Sequence, residues 1–227
     1  MRYLMLMVML VSSVLIFASA GYAANTPAEV PLFNGKDFSG WKLFIPDPKI
    51  DVKTVWSAKD GVVHCEGTSP GYMRTEKPYE NYKLTLEWRW AGKPGNNGVL
   101  LHIQNEDKVW PKSIEAQLQD QNAGDFFVID GSDFKEHINK EDRRVPKKAP
   151  SNEKPAGEWN KYEIVCDGNT ITATVNGLLQ NSATEATITK GYIGLQSEGA
   201  PIEYRNIVLL PLPGKGTSGA PAAQKKP

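Results

Sequence analysis

Residues 82–90 alternate without a break. Tyr82, Leu84, Leu86, Trp88 and Trp90 share one face, and Lys83, Thr85, Glu87 and Arg89 share the other. A period of two is that of a strand buried on one side, and no helical period fits the run. The same alternation, in shorter form, marks strands near 41–45, 61–66, 99–104, 113–120, 126–129, 158–167, 170–176, 192–196 and 202–210. Asp167-Gly168-Asn169 and Asn176-Gly177 lie between such runs and are hairpin signals, because these residues tolerate positive φ. The chain also carries 20 glycines and 16 prolines, a turn-rich count that suits many short strands. Strands that each bury one face, joined by tight turns, predict an all-β, two-sheet antiparallel sandwich.

Residues 135–155 break the pattern. They hold three prolines and mixed charges, including Glu136, Lys140, Arg143, Arg144, Lys147 and Glu153. A strand there would bury charge, so a long surface loop is expected, solvated and able to cover one end of a groove.

The two ends differ from this middle. Arg2 followed by an apolar run from Leu4 to Ala18 and small residues at Ala18, Ala20 and Ala23 reads as a signal peptide over residues 1–23. The run is short for a membrane span, so no span is expected after cleavage, and the protein is expected to be exported to the periplasm or beyond. Residues 214–227 contain no large apolar side chain and read as a disordered tail, leaving one domain over 28–213. Formal net charge is zero, and without Arg2 and the tail lysines the remainder is mildly acidic. A nucleic-acid partner is not expected, since phosphate binding needs concentrated basic surface. Cys65 and Cys166 both sit in strand-like runs of an exported chain, where they form either a disulfide or two buried thiols.

Candidate chemistry gathers on two strands. In 113–119, Ser113, Glu115, Gln117 and Gln119 face one way, and in 99–104 so do Leu100, His102 and Gln104. If residues 83–90 neighbour these strands in one sheet, a single polar face carries Glu87, Arg89, His102, Glu115 and Gln117. Carboxylates, amides and a guanidinium in such density suit the hydroxyls of a sugar, and Trp110 near a strand end would stack on a ring. No His-x-x-x-His, Cys-x-x-Cys, phosphate loop or Gly-x-Ser-x-Gly occurs, so serine-nucleophile and nucleotide chemistry have no support.

The order of short phrases carries a resemblance. Pro31-Leu32-Phe33-Asn34-Gly35-Lys36-Asp37 with Ser39-Gly40-Trp41, then Tyr79-Glu80-Asn81-Tyr82, Glu87-Trp88-Arg89, Gly95-Asn96-Asn97-Gly98, Glu115-Ala116-Gln117, Ala123-Gly124-Asp125-Phe126, Gly157-Glu158-Trp159-Asn160 and Tyr204-Arg205-Asn206 together resemble the 3-keto-disaccharide hydrolase family. Asn96-Asn97-Gly98 stands where that family usually has Asn-Ser-Gly, and His102 where many members have arginine. The resemblance implies a jelly-roll sandwich of the concanavalin A-like lectin/glucanase type and a 3-keto-glycoside as carbohydrate substrate. A ketone at C3 acidifies the C2 proton; a base removes it, and the glycosidic oxygen then leaves C1. On that footing Glu115 is expected to act as base or metal-organising carboxylate, with His102 as its acid/base partner. Gln117, Arg89, Glu87, Asp125 and Trp110 are then expected to bind substrate. The cofactor is left open: none is certain, and a divalent ion could supply part of the oxyanion stabilisation by polarising the ketone. The rival expectations are a non-catalytic carbohydrate-binding module and a structural domain of a surface assembly.

Overall fold

The computed structural model describes residues 27–104 and 106–213, so the expected signal peptide (1–23) and the expected tail (214–227) lie outside the described residues. Fifteen strands carry the fold: β1 (Val30–Pro31), β2 (Trp41–Phe44), β3 (Trp56–Lys59), β4 (Val62–Cys65), β5 (Gly71–Thr75), β6 (Tyr82–Trp90), β7 (Gly98–Ile103), β8 (Ser113–Gln117), β9 (Phe126–Ile129), β10 (Arg144–Val145), β11 (Asn160–Asp167), β12 (Thr170–Val175), β13 (Leu178–Ala183), β14 (Tyr192–Ser197) and β15 (Ile202–Pro211). The one helical element among the described residues is a 3-10 turn, Val52–Thr54. None of the described residues form a helix long and apolar enough to cross a membrane.

The strands form two sheets. The back sheet runs β13-β12-β11-β6-β15-β4-β3, with β1 also on β15; the front sheet runs β10-β9-β8-β7-β14-β5-β2. Neighbours in both are antiparallel, as in β6 with β11 and β7 with β8. The alternating face of β6 (Leu84, Leu86, Trp88, Trp90) meets Val99, Leu101, Ile114, Ala116, Phe126 and Leu195 of the front sheet in one apolar layer. Strong alternation yields this arrangement because each strand has a single face that gains by leaving water. The turns follow their sequence signals: Gly168 and Asn169 close the β11–β12 hairpin, and Asn176 (φ 46°) with Gly177 (φ 81°) turns β12 into β13.

β3, β5 and β13 are strands that the alternation did not mark. Residues 135–155 are loop apart from β10, whose Arg144 and Val145 pair with Phe127 and Phe126. Cys65 and Cys166 are free, buried thiols of the back sheet with β15 and β6 between their strands. Burial pushes their thiols up to about 11 and about 12 respectively, so both stay protonated.

Candidate active site

The strand order decides which polar residues can meet. β6 belongs to the back sheet, so Glu87 and Arg89 point outward on the far side of the sandwich from β8. There Glu87 pairs with Arg205 and Arg89 with Glu203, each at 2.5 Å, and both arginines lie over the Trp159 ring. They are a surface ion and cation–π network, not part of a site built around Glu115.

His102 is displaced by a bulge. Tyr192 pairs with Ile103 and Gly194 with Leu100, so Leu101 and His102 stand opposite the single residue Ile193. The extra residue, with His102 at φ 56°, turns both side chains into the interior. The imidazole meets the Tyr82 ring edge-on at 5.7 Å, and its Nδ1 lies 3.2 Å from the Ile188 carbonyl. Burial lowers its pKa to about 4, so it is a neutral core residue. Alternation had placed it beside Glu115; the bulge puts it on the opposite face.

On the front sheet's outer face one register row runs Phe127, Glu115, Leu100, Gly194, Arg74 and Lys42 across β9, β8, β7, β14, β5 and β2. A cavity of about 240 Å³ opens on this face, lined by Asn96, Trp110, Glu115, Gln117, Gln119, Phe127, Ile129, Arg143 and Glu198. Glu115 is its floor and is only 5% exposed. Its Oε1 is buried with no hydrogen-bond partner among the described residues. The carboxyl leans over Gly98 on β7, where a Cβ would stand 2.1 Å from Oε1, so a side chain at 98 and this position of Glu115 exclude each other. Burial, reinforced by the charge of Glu198 and opposed by Arg143, raises the Glu115 pKa to about 8. Gln117 accepts from the Leu118 and Gln119 amides through Oε1 (2.8 and 2.9 Å), which fixes the amide and leaves its Nε2 for a ligand.

Three walls come from connections rather than strands. Arg143 precedes β10, and its main chain is held by the Val128 amide on its carbonyl (3.0 Å). Its guanidinium has no ion-pair partner among the described residues and is exposed at the rim. Glu198 follows β14 and bridges Asn96, and its amide donates to Asn97 Oδ1 at 3.1 Å. Burial raises its pKa, against the Asn96 side chain and Arg143. Trp110 belongs to the β7–β8 connection and is 37% exposed.

Asp107 fastens that connection to the sheet. It accepts from Arg74 Nε (2.8 Å), Tyr72 Oη (3.0 Å) and Lys42 Nζ (2.5 Å). Burial alone would raise this carboxyl, but these donors more than offset it and hold it at about 2. Replacing Asp107 with Ala leaves the buried Arg74 without its carboxylate, and is expected to cost about 3 kcal/mol in urea unfolding. With the Trp110 wall loosened, KM should rise more than kcat falls.

Asp125 does not line the cavity. It is 1% exposed, accepting from Arg144 Nε (2.7 Å) and the Lys147 amide (2.7 Å). Its role is to anchor the segment that delivers Arg143. Of the residues expected from sequence, the cavity thus brings together Glu115, Gln117 and Trp110, and not His102, Glu87, Arg89 or Asp125. Asn96, Arg143 and Glu198 were missed. Asn96 stood in the Gly95–Gly98 phrase, and Arg143 in a loop recognised as able to cover a groove; nothing local marks Glu198. No group of three or more His, Cys, Asp or Glu residues suited to a metal ion gathers among the described residues.

A two-sheet antiparallel jelly-roll sandwich is the fold of the concanavalin A-like lectin/glucanase class. The β-glucanase of Bacillus licheniformis superposes with a TM-score of 0.58 over 83% of this chain and 99% of its own, at 14% identity. The chain belongs to the 3-keto-alpha-glucoside-1,2-lyase-like domain family, whose profile matches residues 28–210. A 3-keto-disaccharide hydrolase of Bacteroides thetaiotaomicron is 24% identical to it over 78% of this chain and 76% of that one. A protein of Parabacteroides distasonis, solved as a candidate glycosyl hydrolase, has the same fold with a TM-score of 0.62 and 24% identity, covering 81% of this chain and 94% of the other.

Proposed function

We propose that this protein is an exported enzyme that cleaves 3-keto-glycosides, with Glu115 taking the C2 proton and the glycosidic oxygen leaving C1. The observation that carries the reading is the unpartnered, buried Glu115 carboxyl at the floor of a sugar-sized cavity. A carboxylate stripped of water is a stronger base than one in solution, and C–H abstraction next to a ketone needs such a base. Loss of the C2 proton moves its electron pair toward O3, and negative charge builds on that oxygen. Arg143, a guanidinium with no internal partner, is placed to stabilise it. Gln117 Nε2 and Asn96 supply hydrogen bonds to ring hydroxyls, and Trp110 offers an apolar face to the sugar. The enolate then re-forms the ketone, a C1–C2 double bond appears, and the aglycone departs; later addition of water gives the net hydrolysis product. Ordinary glycosidase geometry, with one carboxyl on each side of the glycosidic bond, is not required.

The test is incubation of the purified mature protein with a 3-keto-glucoside in deuterated water. Deuterium at C2 together with release of the aglycone is the expected result. Release without exchange would favour direct hydrolysis, and saturable binding of an unchanged sugar would make the protein a binding module.

A further inference from the structure

Elimination needs a second proton transfer. Unless the leaving group is a weak base, the departing glycosidic oxygen must be protonated as the C1–O bond breaks. His102, which sequence suggested for the task, faces the core and cannot reach the cavity's contents. Among the described residues that line the cavity, the titratable side chains are Glu115, Arg143 and Glu198. An arginine does not give up its proton in a protein, so the role falls to one carboxyl.

Resting on the reading of Glu115 as base, we propose that Glu198 is the general acid that protonates the leaving oxygen. Its position is fixed: the residue bridges Asn96, and Asn97 Oδ1 receives its amide hydrogen. β14, which it follows, is separated from β8 by β7 alone. β7 presents Gly98 beneath the Glu115 carboxyl, so position 98 itself puts no side chain there, and Glu198 lines the same cavity. Two like charges lining one cavity resist joint ionisation: burial raises both carboxyls, and the Glu198 charge raises Glu115 further. In the tautomer with the charge on Glu115 and the proton on Glu198, the cavity is ready to turn over. The C2–H bond breaks toward Glu115, the C1–O bond breaks toward the aglycone, and the Glu198 proton completes the new hydroxyl. The cycle closes when the proton on Glu115 passes back to Glu198 through solvent.

The experiment compares wild type with Glu198→Gln on two substrates. One is a 3-keto-disaccharide, whose sugar leaving group is strongly basic; the other is 3-keto-4-nitrophenyl glucoside, whose phenolate leaves without help. The variant is expected to lose about 10²–10⁴-fold on the disaccharide, and less than tenfold on the nitrophenyl substrate, while C2 deuterium exchange continues. Wild type should show a bell-shaped pH dependence of kcat/KM, falling when both carboxyls are ionised or both protonated. Glu198→Gln should keep only the limb that rises with pH, because Glu115 alone then titrates. Equal losses on both substrates, or a bell that survives in the variant, would overturn the assignment. Absence of C2 exchange in wild type would instead sink the underlying reading of Glu115, which keeps the two failures apart.

Discussion

Replacing Glu115 by glutamine is expected to abolish turnover of a 3-keto-glycoside and C2 exchange together, by at least 10²–10⁴-fold, while the protein still folds. Glutamine keeps the shape and removes the base, so the variant separates chemistry from packing. It also has a stability signature. The folded pKa of Glu115 lies near 8, above the ordinary value of 4.5. Between those values the native state binds more protons than the unfolded chain, so stability falls as pH rises from about 4.5 through about 8. The contribution is fully present below the unfolded pKa and is lost above the folded one, and each pH step of one within that window removes about 1.4 kcal/mol. Urea midpoints measured from pH 5 to pH 9 should therefore decline in wild type more steeply than in Glu115→Gln. A parallel decline in both proteins would show that Glu115 is not the strained carboxyl, and full activity in the variant would remove it from the mechanism.

Gly98→Ala is expected to be nearly as damaging without touching a reacting group. A Cβ at 98 would stand 2.1 Å from Glu115 Oε1 and 2.8 Å from its Cγ and Cδ, so the carboxyl must swing off the glycine. Misplacing a catalytic group by about 1 Å costs on the order of 10²-fold. The loss should appear in kcat, with Tm little changed, because the clash is with the mobile end of one side chain rather than with backbone. Crystals of the variant should show Glu115 in a new rotamer. An active Gly98→Ala protein with Glu115 unmoved would mean that the glycine has no part in holding the base.

These expectations rest on features of unequal visibility in sequence. The 113–119 alternation was enough to place Glu115 and Gln117 on one face, because side-chain direction in a strand depends on nothing but position parity. The same logic failed for His102, where one extra residue opposite Ile193 reverses parity; a bulge is set by the partner strand, which local pattern does not contain. It failed differently for Glu87 and Arg89. Their face was read correctly, but β6 joins β11 and β15 instead of β7 or β8. Asp125 shows a third kind of error: a polar residue near the site is consumed by Arg144 and the Lys147 amide, which anchor the loop that brings Arg143 forward.

The amino-acid order alone determined that the chain is all-β, where most strands and turns fall, which family it belongs to, and that Glu115 and Gln117 share a polar face. Those properties are written in parity, turn chemistry and the succession of short phrases, each readable within a few residues. Tertiary structure decided which strands became neighbours, which parity a bulge reversed, and which loop residues reached the cavity. Glu115, Arg143 and Glu198 lie far apart along the chain, and their meeting depends on a sheet order selected by packing the whole apolar layer at once. That is why Glu115 was legible in the sequence, while Glu198 and Arg143, which line the same cavity, were not.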